Sequence, residues 1–459
     1  MTVLGEGAYG CVHKPSLKCK DRPDMSYEGN ISKIMDKRHA LVELKEYDVI
    51  GNIDKENRYY IGKPEVCSPM VDAKAMSEVD KCSWVKSKDI QNMKLLIMKD
   101  GGQNLADYIK DASSKTKEQV ERFLIEAHRV VLGVNVLNAN GVVHHDLKPQ
   151  NIVYNEAENR INFIDFGHMT MVEKLKNLSI QSSNTHAVQH WSFPMEMMFI
   201  NKKEYMELAM RTPEERGRLF PQIWNHIKEH LEVFMAYINY KTSEVVALKR
   251  YNFIKLQYYD MIVNDFTPGN YKAFLEKSIN TIDIYGLGFT FLHLLSPLKS
   301  TIDKQVYDKI FDLCIIAITP RVQLRCDAEF FLNTYEAILD ETGLLSKYGL
   351  HLENHEIQPI PEVEGFTPET EFITKSTSEA AELLTPCAKS GRERNPKTGR
   401  CTKKCRDGYM RNSAHKCVRV QFGCPDNKEI NPRTRRCVAK CKDKYVRDAN
   451  FKCIRGGPP

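Results

Sequence analysis

The chain has 459 residues, of which 42% are hydrophobic and 27% charged, at a net charge of +6. That is ordinary for globular protein and long enough for two or three domains with a buried core. No apolar run approaches the roughly 18 to 20 residues that cross a bilayer, and the first residues carry neither a basic n-region nor an apolar h-region, so membrane insertion and secretion are not expected. The small net charge conceals a division: residues 386–459 hold 21 Lys and Arg against 6 Asp and Glu, a balance of +15, which leaves −9 for the rest. Such a basic tail on an acidic body points to nucleic acid, an acidic protein or an intramolecular contact, or else to a solvated surface with no partner.

In chain order, the first hundred residues read as short strands and one helix. Leu4-Gly5-Glu6-Gly7-Ala8-Tyr9-Gly10-Cys11-Val12 has glycines at Gly5, Gly7 and Gly10 followed by Val12. That spacing suits a hairpin turn whose backbone N–H groups approach phosphates with no Cβ in the way. Asn30 to Met35 alternates as a strand carrying Lys33 inward. A helix over about 37–50 follows, with Glu46 sharing a face with Val42, Val49 and Ile50, and Glu43 competing. Leu95-Leu96-Ile97-Met98 reads as a buried strand entering the turn Asp100-Gly101-Gly102. From about Lys115, Val120, Phe123, Leu124, Ala127 and Val131 recur at helical spacing and form core.

His144-His145-Asp146-Leu147-Lys148-Pro149-Gln150-Asn151, followed by Ile164-Asp165-Phe166-Gly167, is the most informative stretch. Asp146 is suited to accept the proton of an attacking hydroxyl and Lys148 to neutralise charge on a moving phosphoryl group. Asn151 and Asp165 are suited to hold metal ions. Phosphoryl transfer needs positioning and charge neutralisation more than covalent chemistry, so few side chains suffice.

This string resembles the eukaryotic-type protein kinases, and Lys148 two places after Asp146 resembles their serine/threonine branch. The resemblance covers about residues 1–340. It implies an α+β, bilobal fold with a small β-rich N-lobe (1–98) and a large helical C-lobe (99–345), ATP and Mg2+ as cofactors, and protein substrates. It assigns Gly5, Gly7, Gly10 and Val12 to the nucleotide-binding loop and Lys33 to the α- and β-phosphates. Glu46, favoured by its helical face, is expected to pin Lys33. Adenine is expected on the Asp100–Gly102 backbone. The resemblance is incomplete: Ile31 stands where kinases commonly have alanine. His145 replaces the arginine that clamps an activation-segment phosphate, so activity without such phosphorylation is expected. Phe193-Pro194-Met195-Glu196 is a variant of the A-P-E segment, with Arg325 as the partner of Glu196. Asp283 is expected to brace the catalytic loop. Residues 199–280 are far longer than the usual kinase connection and read as a helical insertion packed on the large lobe or docking a partner.

Residues 351–385, with eight glutamates and Lys375 as the only Lys or Arg, read as an acidic linker. Cys401, Cys405 and Cys417 recur as Cys437, Cys441 and Cys453 at a shift of 36, with Cys387 and Cys424 preceding each set. The units, 386–419 and 422–455, share N-P-x-T-x-R-C and resemble the two-cysteine adaptor repeats of large cytoplasmic DNA viruses. That implies a viral protein of the host cytoplasm or virion, recruiting viral or host partners. Units so small need cross-links, and disulfides and zinc both remain open. The other six cysteines are expected to be thiols. The competing readings are a pseudokinase scaffold acting through its tail, a small-molecule phosphotransferase, and a kinase held on nucleic acid by that tail.

Overall fold

The structure is a computed structural model. It describes residues 2–359 apart from 8–9, 23, 71–76, 78, 83–84, 86–89, 182–190 and 354. Beyond those it describes only 392–394, 401–403, 409–411, 417–419, 428–430, 437–441, 445–447 and 452–455.

The N-terminal part is an antiparallel sheet built from β1 (Thr2–Gly7), β2 (Gly10–Lys14), β3 (Asn30–Asp36), β4 (Glu65–Cys67) and β5 (Met93–Lys99), in the order β1-β2-β3-β5-β4. Helix α1 (Lys37–Ile53) starts directly after β3 because the Asp36 carboxylate accepts from the backbone N–H groups of Arg38 and His39. Cys11, Ile34, Leu95 and Ile97 pack with Leu17, Cys19, Cys67, Val79, Cys82, Val85, Ile90 and Met93 in one buried cluster, while Met35 and Leu96 pack with Ala40 of α1.

Four cysteines expected as thiols are paired instead: Cys11 with Cys82 and Cys19 with Cys67, at Cα separations of 6.0 and 5.7 Å. Partners 71 and 48 residues apart in sequence leave no spacing signature, and only the folded sheet brings them together. Cys314 and Cys326 are buried thiols, as expected.

The rest, to residue 359, is mainly helical. Helix α2 (Lys117–Ala139) opens on a Thr116–Gln119 capping box. Strands β6 (Gln103–Asn104), β8 (Ile152–Asn155) and β9 (Arg160–Phe163) form one small sheet, and β7 (Val142–Val143) pairs with β10 (Thr170–Met171) in another. Then come α3 (Val172–Ile180), α4 (Lys202–Ala209), α5 (Pro213–Ile238), α6 (Glu244–Asp260), α7 (Tyr271–Asn280), α8 (Ile282–Leu298), α9 (Lys304–Ala317) and α10 (Ala328–Glu341).

Helix α8 is apolar all round and buried along nearly its whole length, as a central core helix must be. The insertion is helical, comprising α4 to α7. Its α5 docks on α8 through Phe234 against Tyr285 and Phe289. Arg216 ties its turns together by donating to the carbonyls of Val263, Leu208 and Arg211.

The first residues of the expected linker are structured instead. Leu350–Glu353 and Glu356–Pro359 form a hairpin whose Leu350, Leu352 and Ile357 pack on the main core, with Glu356 paired to Arg58. Alternating apolar residues outweigh the local acidity there. Residues 361–385 lie outside the described residues. In the tail, Arg392–Arg394 pairs with Cys401–Lys403 and Tyr409–Arg411 with Cys417–Arg419. The same two hairpins return 36 residues later, as Lys428–Ile430 with Cys437–Ala439 and Tyr445–Arg447 with Cys453–Arg455. Cys441 and Cys453 form a disulfide, and the pairing of the other tail cysteines lies outside the described residues.

Candidate active site

The hairpin β1–β2 carries Gly5, Gly7 and Gly10, with Gly7 opposite Gly10. A Cβ on Gly10 would fall 2.1 Å from the Ile34 carbonyl, so glycine is what lets β2 lie so close over β3. Ala8 and Tyr9, at the turn, lie outside the described residues. Val12 pairs in register with Lys33.

Lys33 Nζ lies 2.7 Å from Glu43 Oε2, which corrects the expected Glu46 partner. The buried stripe of α1 is Ala40, Glu43, Tyr47 and Ile50, whereas Val42 and Val49 are exposed. The expectation placed Glu46 on a face shared with Val42, Val49 and Ile50, of which only Ile50 is buried, so Glu46 lies at the margin of the buried stripe and not on it. A stripe at i, i+3, i+7 and i+10 through Ala40, Tyr47 and Ile50 was the signal available for Glu43. Burial lowers the affinity of Lys33 for its proton, but the charges of Glu43 and Asp165 outweigh it and hold its pKa above the usual value. Glu46 is half-buried, and desolvation, followed by repulsion from Glu43 and Asp165, pushes its carboxyl up to about 7.

The side chains of the 144–151 loop converge. Asp146 Oδ2 accepts from Lys148 Nζ at 2.6 Å and from Asn151 Nδ2 at 2.9 Å, and Asn151 also donates to the Asp146 carbonyl at 2.8 Å. Ser192 Oγ donates to Asp146 Oδ1 at 3.2 Å. Burial works to raise the Asp146 pKa, but Lys148 prevails and the carboxyl stays below its usual range. Ser192 went unread in the sequence, because nothing local marks a serine 46 residues away as a partner of Asp146.

The segment bearing Asp165 is fastened to this loop. Ile164 N donates to the Asn151 carbonyl at 3.0 Å, and His144 Nε2 bonds the Ile164 carbonyl at 3.1 Å. Asp165 is exposed, with φ of 63°, and His145 has φ of 71°. Two non-glycine residues in the left-handed region flank the site, a conformation kept only where the surroundings impose it. Next to Asp165, Phe166 is buried between Tyr47 of α1, at 5.2 Å edge-on, Tyr60 and His144. This aromatic contact joins the helix that holds Glu43 to the segment that holds Asp165.

Asp283 accepts from the backbone N–H of His144 at 2.6 Å and of His145 at 2.8 Å. A Cβ on Gly286, one turn further along α8, would meet the Leu147 carbonyl at 2.5 Å, so α8 packs directly against the loop backbone. Glu196 and Arg325 form an ion pair at 2.5 Å with both side chains fully buried. The His145 ring stacks on Phe193 at 4.9 Å, with His168 edge-on at 6.4 Å.

Residues 74–206 match the family model of the protein kinase domain. A 178-residue segment, 39% of this chain, is 24% identical to a Titin homolog of Caenorhabditis elegans, of which it covers 1%. A 66-residue segment, 14% of the chain, is 36% identical to Serine/threonine-protein kinase RIM15 of Saccharomyces cerevisiae, covering 4% of it. Another segment of 178 residues, 37% of the chain, is 26% identical to Mitogen-activated protein kinase pmk-2 of Caenorhabditis elegans, covering 35% of it. The chain thus spans about a third or less of the length of these relatives. It carries a protein kinase domain.

Proposed function

We propose that the chain is an ATP-dependent serine/threonine protein kinase that moves the γ-phosphoryl group of ATP to hydroxyls of protein substrates. The observation that carries this reading is the Asp146 carboxylate, fixed by Lys148, Asn151 and Ser192 beside the Asp165 segment. Asn151 and Asp165 offer an amide and a carboxylate, the hard oxygen donors Mg2+ takes, and an ion held there supplies neutralisation of phosphate charge.

The chain's own residues do the rest. Lys33, held by Glu43, steadies the α- and β-phosphates, and the glycines of β1–β2 let backbone approach the nucleotide. Asp146 orients the substrate hydroxyl and takes its proton. Being kept ionised by Lys148, it is in the accepting form at neutral pH. Lys148 faces the charge that develops on the transferred group.

Transfer from radiolabelled ATP to casein, followed by phosphoamino-acid analysis, tests the reading. Phosphoserine or phosphothreonine is expected from the wild type and none from Asp165→Asn. ATP binding without transfer to any protein would favour a pseudokinase scaffold instead. The tail, rich in Lys and Arg and cross-linked at Cys441–Cys453, is read as a recruiter of protein partners for a viral kinase of the host cytoplasm or virion. Binding to random DNA with a steep salt dependence would assign it nucleic acid as well.

A further inference from the structure

Tyr237, near the end of α5 in the insertion, touches both segments that hold Asp146. Its hydroxyl accepts from Gln150 Nε2 at 2.7 Å. Its ring lies flat on Trp191, with centroids 4.4 Å apart and planes 8° from parallel. Gln150 sits between Lys148 and Asn151, and Trp191 immediately precedes Ser192. One side chain thus joins the catalytic loop, whose Lys148 and Asn151 bond Asp146 Oδ2, to the segment whose Ser192 bonds Asp146 Oδ1.

The clamp is rigidly based. The Tyr237 carbonyl accepts from His293 Nδ1 at 2.9 Å, and Phe234, about one turn earlier, stacks on Tyr285. Trp191 also meets Phe289 edge-on at 5.9 Å. His293, Tyr285 and Phe289 all belong to α8, whose first turn supplies the Asp283 that holds the loop backbone. Aromatic rings with few rotatable bonds, packed on a buried helix, can hold two loops at a fixed separation. A catalytic group displaced by about 1 Å loses on the order of a hundredfold in rate.

We propose that Tyr237 is a positioning residue for phosphoryl transfer: the insertion holds the Gln150 and Trp191 segments in the spacing that lets Ser192 and Lys148 grip Asp146 together. This rests on the protein kinase reading above.

The test uses the full chain, radiolabelled ATP and casein, with melting temperature recorded for each variant. Tyr237→Ala is expected to lower kcat at least tenfold and Tyr237→Phe, which keeps the stack and loses the hydroxyl, about two- to fivefold. KM for ATP is expected to change less than twofold in both, because Lys33 and Glu43 are untouched. Gln150→Leu combined with Tyr237→Phe is expected to be no worse than the poorer single variant, since both remove one hydrogen bond. Tyr240→Ala, which removes another ring packed on His293, serves as the purely structural comparison and is expected to leave kcat near wild type. An unchanged kcat in Tyr237→Phe, additive losses in the double variant, or a rise in the KM for ATP that matches the fall in kcat would each overturn the assignment. If Tyr237→Ala does not fold, the Tyr237→Phe and Gln150→Leu cycle decides alone. A wild type that transfers no phosphate overturns the kinase reading and this inference with it. An active wild type with silent Tyr237 variants overturns the inference alone.

Discussion

Removing the two disulfides of the N-terminal sheet should unfold that part of the molecule, and the magnitude follows from their nesting. Cys19–Cys67 joins residues 48 apart, and in the chain-entropy model that constraint contributes about 4 kcal/mol. Cys11–Cys82 spans 71 residues but encloses the inner bridge. With the inner loop closed, it spans effectively about 24 residues and contributes roughly 3.5 kcal/mol more. Together, about 7.5 kcal/mol is comparable with the whole stability of a typical domain, about 5 to 15 kcal/mol.

The sheet cannot replace that stabilisation by burial alone. Among the described residues its buried cluster on that side is a dozen, four of them these cysteines. Thermal unfolding of the oxidised protein, of Cys11→Ala/Cys82→Ala, and of protein treated with dithiothreitol, each with ATP titrations, measures the effect. Dithiothreitol reduces each bridge to two thiols and is itself oxidised to a cyclic disulfide. The expected results are a Tm lower by several degrees for the single-bridge variant and loss of ATP binding when both bridges are reduced. Bridges of this kind persist in an oxidising setting and are lost in a reducing one. Alkylation of non-reduced protein that labels all four cysteines, with a Tm insensitive to dithiothreitol, would refute the reasoning.

Glu43→Gln should lower kcat/KM for ATP more than Glu46→Gln, because Glu43 holds Lys33 at 2.7 Å; ATP titration of transfer rates checks the order. The Glu46 carboxyl is raised to about 7 in the folded protein, above its ordinary value of 4.5, so the fold favours its protonated form. Stability from this group is therefore complete below about pH 4.5 and lost as pH rises towards 7 and beyond. Glu46→Gln should gain about 1 kcal/mol over the wild type at pH 8, after allowance for solvent screening of a half-buried group, and little at pH 5; melts without nucleotide or metal measure it. Breaking the Glu196–Arg325 pair by Arg325→Met should cost about 3 to 5 kcal/mol in urea unfolding, since it leaves a fully buried carboxylate without its counter-charge. Phosphatase treatment should leave transfer to casein unchanged, since His145 is packed on Phe193 and lacks the fork that grips a phosphate.

Much of the site was legible without coordinates because its chemistry is local in sequence. Asp146, Lys148 and Asn151 lie within six residues, so a short loop is enough to make them converge, and Asp165 follows one hairpin later. Asp283 and Arg325 were also placed correctly against their partners, through the motifs around them. The 36-residue recurrence in the tail returned as backbone hairpins at the same offset. Glu43 was named but ranked below Glu46, for a different reason. Choosing between two glutamates three residues apart requires the rotation of α1 about its axis, which Ala40 and Tyr47 set by packing against other elements.

What the amino-acid order determined by itself was therefore the grouping of Asp146, Lys148 and Asn151 in one loop, the mainly helical character of residues 199–280 and the repeat of the tail. Tertiary structure alone decided which glutamate meets Lys33, that Ser192 reaches Asp146 across 46 residues, that Tyr237 spans two catalytic segments and that four scattered cysteines pair. The physical reason is range. Motif and periodicity record what a residue does within a turn or a loop, whereas a partner tens of residues distant is chosen by how buried faces pack, and packing is a property of the whole fold.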